Sequence, residues 1–148
     1  MPIPSFDSNG LLPEGIHNCT VNEIEERLTW NLHRAELFLK FKQCLINEIG
    51  PRFPNPIFFD GSYVTDKEYP EDIDVVLDLR QSPMPIQLDG LKYMQEAHES
   101  LMVHYNVHFW INLACHNDFS AFFQYVGVKT ARLQGLGPRH LKGILRLI

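Results

Sequence analysis

The chain predicts an α+β domain, with a mixed β-sheet and helices packed on one face of it. Three observations carry that expectation. Apolar residues recur at helical spacing around residues 31–49 and 89–104. Residues 73–79 and 107–113 alternate with a period of two instead. Finally, the elements run helix, helix, strand, strand, helix, strand, helix, with a last strand or docked tail over 143–148. At 148 residues the chain is long enough for one domain with its own core. Residues 1–17, rich in proline and glycine, read as an irregular arm, and 18–148 as the single domain.

Taken in order, Thr20-Val21-Asn22-Glu23 is a capping box and opens a short acidic helix that runs to about Leu28. A longer helix over 31–49 offers Leu32, Ala35, Phe38, Leu39, Leu45, Ile46 and Ile49 as its apolar stripe, and Gly50-Pro51 stops it. Pro54 and Pro56 keep the chain extended into a short strand at 57–59. The strand at 73–79 presents Ile73, Val75, Leu77 and Leu79 on one face and Asp72, Asp74, Val76 and Asp78 on the other. One face is therefore buried and the other is the working surface. Asp78 lies ~13 Å beyond Asp74, too far to share an ion, and reads as solvated or paired with an arginine. Residues 81–86 form a proline-rich turn, and the helix after it carries Leu91, Met94, Ala97, Leu101 and Met102. In the strand at 107–113, Val107, Phe109, Ile111 and Leu113 face the core, while His108, Trp110 and Asn112 face away. Asp118 is placed to cap a helix bearing Phe119, Phe122 and Phe123, aromatic spacing that belongs to a core more often than to a base-stacking platform.

Composition excludes several classes. No apolar run approaches the roughly 18 residues of a membrane span, and Met1–Ser5 lacks the charged and apolar regions of a secretory signal. Cys19, Cys44 and Cys115 are odd in number and scattered, which supports neither a disulfide framework nor a zinc knuckle. Cytoplasm is the expected compartment. Cys115 and His116 are adjacent, which on an extended strand points them apart and disfavours a nucleophile–base pair. All 18 acidic residues lie at or before Asp118, against 8 of the 13 Lys and Arg, so that part is strongly acidic and the last 30 residues carry about +5. Either the basic tail packs across the acidic body, or its cations reach a triphosphate, a nucleic acid or a partner chain.

The most informative stretch is 58–77. An apolar run ends in Gly61-Ser62, nine polar or turn-forming residues follow, and Asp72-Ile73-Asp74 opens a β-branched run. Carboxylates at i and i+2 of a strand project from one face, about 6.6 Å apart at their Cβ atoms, so they can converge on a divalent ion. Gly-Ser after a strand offers backbone N–H groups and a hydroxyl to a phosphate. Carboxylates with an anion cradle are the parts that metal-assisted phosphoryl transfer needs. Against this stands the reading of Asp72 and Asp74 as charges protecting a sheet edge.

Gly61, Ser62, Asp72 and Asp74 resemble the signature of the DNA polymerase β-like nucleotidyltransferase superfamily: Gly-Ser, about ten residues, then Asp-x-Asp among apolar residues. The likeness is strongest to its small single-domain members, found in bacterial toxin–antitoxin and phage-defence pairs, and it covers about residues 56–79. Asp60 departs from the pattern, which usually has an apolar residue there. A broader likeness, to bacterial proteins with a Leu-Pro-x-Gly-Ile-His segment, here residues 12–17, implies no activity. The resemblance implies a nucleotidyltransferase-like fold, Mg²⁺ (or Mn²⁺) on Asp72 and Asp74, and a nucleoside triphosphate as donor. The acceptor would be a hydroxyl on a protein, an RNA or a small molecule, held by a partner protein or a homo-oligomer. Lys129 or Arg132 is offered, on charge alone, as the cation that steadies the leaving phosphates. A third acid is expected from the strand at 107–113, but His108 stands there, an imidazole better suited to Mn²⁺ or Zn²⁺ than to Mg²⁺. Three explanations stand side by side: two carboxylates with a water or a softer metal, a shifted alignment, or a fold that has lost its chemistry and serves to bind and neutralise a partner.

Overall fold

The computed structural model describes residues 3–114 and 140–148. Five strands form one mixed sheet: β1 (Ile16–Cys19), β2 (Ile57–Asp60), β3 (Ile73–Asp78), β4 (Val107–Asn112) and β5 (Ile144–Leu147). Their spatial order is β1-β5-β2-β3-β4. β2 runs antiparallel to both β3 and β5, whereas β3–β4 and β1–β5 are parallel pairs. Among the described residues three α-helices, α1 (Val21–Leu28), α2 (Leu32–Cys44) and α3 (Met84–Tyr105), join the sheet in an α+β arrangement. A parallel pair needs a long crossover, and α3 supplies it between β3 and β4.

Local chemistry explains most element ends. Thr20 caps α1 as expected: its hydroxyl accepts from the Glu23 amide at 3.2 Å, and the Glu23 carboxylate accepts from the Thr20 amide at 2.8 Å. The Asn31 side chain accepts from the Arg34 amide at 2.8 Å and starts α2. That helix widens into a π-type turn over Leu45–Ile49 before Gly50. The stretch 81–86, expected as a turn, is helical from Met84 onward. Proline in a first helical turn loses no hydrogen bond and presets φ, so Pro85 begins the helix rather than preventing it.

The core lies between the helices and one sheet face. Ile57, Phe59, Ile73, Val75, Leu77, Val107, Phe109 and Ile111 share one buried cluster with Leu37, Phe38, Phe41 and Cys44 of α2. Phe41 meets Phe59 edge to face at 4.4 Å. The stripe expected over 31–49 holds at Phe38 and Ile49, which are buried, and is otherwise rotated. Leu32, Leu39 and Ile46 are exposed, while Arg34, Leu37, Phe38, Phe41 and Cys44 are buried. Arg34 belongs to the interior because carbonyls satisfy its guanidinium. It donates to Leu28 O at 2.7 Å and to Tyr63 O and Lys67 O, and it lies over the Trp30 and Tyr63 rings at 3.8 and 4.4 Å. Burial brings its pKa down to about 10, which leaves it charged at neutral pH.

Residues 3–15 are irregular, as expected, yet Ile3, Leu11 and Leu12 are buried and β1 begins at Ile16. Leu11 bridges Thr65, and the Asp66 amide donates to Gly10 O at 2.9 Å, so this segment straps the loop between β2 and β3. The tail expected at 143–148 is the strand β5, and it lies between β1 and β2. Asp78 is paired with Arg80, Nε to Oδ1 at 2.8 Å, as its position suggested. Cys19 and Cys44 carry buried free thiols that burial pushes up to about 12, which makes them inert as nucleophiles. Among the described residues no helix is long and apolar enough to cross a membrane. The helix expected after Asp118, Cys115 and His116, the turn at 135–138, and both Lys129 and Arg132 lie outside the described residues.

Candidate functional site

Strand register assembles the site. Asp60 of β2 stands directly opposite Asp74 of β3, and Asp74 stands opposite His108 of β4. Phe59, Val75 and Phe109 point to the helices, so alternation turns Asp60, Asp74 and His108 together onto the other face. Asp72, immediately before β3 and half-buried, falls on that same face. Its carboxyl is raised from the ordinary value, first by burial and then by the negative charge of Asp74, with His108 opposing.

The turn after β2 closes on this row. Gly61 has φ +72°, and a Cβ built there would lie 1.9 Å from Asp74 Oδ2. Only glycine allows both the left-handed backbone and the close approach. Ser62 follows in a single tight turn, Gly61–Val64, held by the Thr65 hydroxyl donating to Ser62 O at 2.7 Å. Gly61 and Asp74 are thus brought into contact. Gly61→Ala is expected to cost ~2–5 kcal/mol through strain and overpacking. An unchanged urea midpoint would show that the turn does not rest on Asp74.

His108 was expected as a metal ligand, and its Nδ1 lies 3.0 Å from Asp74 Oδ1. That hydrogen bond raises the pKa of His108, burial acting against it. The ring also packs against Trp110 and His98, with centroids 4.5 and 5.1 Å away. With Nδ1 engaged on Asp74, His108 positions that carboxylate.

Two residues missed by sequence reasoning complete the row. Asp60 is fully buried beside Asp74. Its break with the motif's apolar position was the available signal. Lys142, two residues before β5, is 7% exposed, and its Nζ donates to Gly61 O at 3.1 Å. Burial lowers its pKa while Asp60 and Asp74 act to raise it, so the ammonium sits in their field. Sequence offered Lys142 only as one member of a basic tail.

Among the described residues no group of three or more His, Cys, Asp or Glu side chains is arranged to hold a metal ion. The oxygen donors of Asp72 and Asp74 nevertheless suit Mg²⁺, which is commonly held by one or two carboxylates, waters and substrate phosphates. The upward shift at Asp72 comes first from burial and then from the charge of Asp74, and a bound cation would oppose both. The pair therefore fits a divalent ion completed by oxygens from outside the chain.

No curated protein and no solved structure matches the chain. A family model described as a family of unknown function, DUF6932, matches residues 4–148, which takes in nearly all of the irregular segment, every strand of the sheet and Asp60, Asp72, Asp74, His108 and Lys142. On that match the chain belongs to the DUF6932 family.

Proposed function

We propose that the protein is a metal-dependent nucleotidyltransferase that moves a nucleoside monophosphate from a nucleoside triphosphate to an acceptor hydroxyl. The observation that carries this is the contact between the Gly61 turn and Asp74, with Asp72 on the same sheet face. Asp72 and Asp74 would hold the divalent ion, which supplies charge neutralisation at the triphosphate as pyrophosphate departs. Gly61 keeps the phosphate approach unobstructed by a side chain, and Ser62 offers a hydroxyl beside it. His108 fixes the rotamer of Asp74 through its 3.0 Å hydrogen bond. The acceptor, whether protein, RNA or small molecule, would be presented by a partner protein or a second copy, as in the toxin–antitoxin pairs that the motif resembles.

A specific observation favours the second reading, a catalytically inactive module that binds and neutralises a partner protein. His108 hydrogen-bonds Asp74, and the Lys142 ammonium sits in its field, so cationic or hydrogen-bonding groups of the chain itself already face that carboxylate. One experiment separates the two. Incubation with α-labelled nucleoside triphosphates and Mg²⁺ or Mn²⁺ should give labelled product and released pyrophosphate only when the divalent ion is present. Transfer that survives Asp72→Asn/Asp74→Asn overturns the enzyme reading, and absence of transfer with every nucleotide and both metals supports the inactive module.

A further inference from the structure

The Leu-Pro-x-Gly-Ile-His segment at 12–17 has no part in the chemistry proposed above, yet with Leu11 before it it reaches the motif turn from two sides. Ser62 O accepts from the Thr65 hydroxyl at 2.7 Å and from the Thr65 amide at 3.3 Å, and Leu11 bridges Thr65. Gly61 O accepts from Lys142 Nζ at 3.1 Å, and the amide of the next residue, Gly143, donates to Leu12 O at 3.0 Å. Consecutive residues, Leu11 and Leu12, therefore hold both supports of the turn. The segment is itself braced. Asp7 Oδ1 accepts from the amides of Asn9 and Leu11 at 2.8 and 3.1 Å, and His17 Nε2 donates to Pro13 O at 2.7 Å. Both grips are close-packed: a Cβ on Gly10 would lie 2.1 Å from Asp66 Oδ1, and one on Gly143 would lie 2.0 Å from Pro13 O.

The turn needs such support, since glycine lets its peptide rotate at little steric cost. In a trans peptide the carbonyl and the N–H that follows it point in opposite directions. Holding Gly61 O thus also sets where the Ser62 N–H points, and that N–H is one of the donors a phosphate would meet. We propose that residues 10–17, acting through Lys142 and Thr65, form a positioning clamp that fixes the Gly61–Ser62 peptide for the phosphates of the nucleotide. The clamp acts on affinity, because a donor already aimed at its ligand loses little freedom on binding.

This inference rests on the nucleotidyltransferase reading for its ligand, but the clamp can be measured without turnover. Amide NMR order parameters, KM and kcat are compared for wild type, Lys142→Met, Gly143→Ala and Leu101→Ala, a buried position of α3 that serves as the stability control. Lys142→Met and Gly143→Ala should each lower the order parameters of Gly61 and Ser62 from about 0.85 to below about 0.6. Each should raise KM for the nucleoside triphosphate about tenfold with kcat within about threefold, the pattern of lost ground-state binding. Leu101→Ala weakens the core and should change neither reading. Gly143→Ala leaves every charge in place, so a KM effect confined to Lys142→Met would show that charge acts rather than the clamp, and would overturn the proposal. Unchanged order at Gly61 and Ser62 in both variants would overturn it too. If Gly143→Ala does not fold, Gly10→Ala, which strains the other grip, takes its place. A wild type that transfers no nucleotide defeats the catalytic reading alone; order lost at Gly61 and Ser62 in the clamp variants, and kept in Leu101→Ala, then upholds the clamp.

Discussion

Asp74→Asn is expected to leave the protein folded and to reduce nucleotidyl transfer by ~10³-fold or more. A carboxylate that holds a divalent ion contributes several kcal/mol to transition-state stabilisation, and each ~1.4 kcal/mol is tenfold in rate. The amide is close to isosteric, and its oxygen can still accept from His108 Nδ1, which now sits 3.0 Å from Asp74 Oδ1. It also keeps the contact with the Gly61 turn, where there is no room for anything larger. The fold should therefore survive while the charge is lost. Measurement pairs labelled-product formation at saturating Mg²⁺ with urea denaturation of the same preparation. A rate within a few-fold of wild type would remove Asp74 from the chemistry.

The other large effect belongs to a residue remote from the carboxylates. Arg34→Ala should cost about 4 kcal/mol or more, a large fraction of the roughly 5–15 kcal/mol by which domains of this size are stable. The Arg34 guanidinium donates to the carbonyls of Leu28, Tyr63 and Lys67 and is completely enclosed. Alanine leaves those acceptors without a donor, at about 1–3 kcal/mol each where buried, and opens a cavity. Arg34→Lys should rescue little, since one ammonium cannot reproduce a planar fork directed at three separate carbonyls. Trp30→Ala, which removes a cation–π partner that is 45% exposed, provides the scale at about 0.5–1 kcal/mol. Equal urea midpoints for Arg34→Ala and Trp30→Ala would refute the assignment. Tyr63 and Lys67 lie between Gly61 and Asp72. A destabilised Arg34 variant should therefore also lose order in the loop that carries the motif.

These two residues mark what local sequence carries and what it does not. The Asp72/Asp74 face, the apolar face of β3 and the Thr20 capping box were legible because each depends on residues within four positions of one another. Arg34 was not. The sequence of α2 contains two possible stripes, and the one through Leu32, Leu39 and Ile46 is apolar, whereas the one that is buried contains an arginine. Charged residues are so rarely enclosed that periodicity favours the wrong stripe unless the three carbonyls, from two distant segments, are known. Pro83 and Pro85 misplaced the start of α3 in a similar way, because their role at a helix N-terminus resembles their role in a turn. The acidic row itself depends on register between strands. Asp60 is separated from Asp74 by a long polar loop, and Lys142 reaches the Gly61 carbonyl through the placement of β5 between β1 and β2. No local pattern encodes which strands become neighbours.

The position of β5 also has a consequence for the order in which the molecule can assemble. Ile16 pairs with Ile144, so the ladder at one edge of the sheet joins two segments with nearly the whole chain between them. Such pairings raise contact order, and loop-closure entropy must be met before they contribute, which slows folding. During synthesis β1 and β2 emerge early yet cannot be bridged until residues 144–147 have left the ribosome. Until then β2 has an unpaired edge of Ile57, Phe58 and Phe59, a stretch prone to pairing with other chains. Docking of β5 therefore closes the sheet in one late event, and nascent chains halted before it leave the β2 edge open to aggregation and proteolysis.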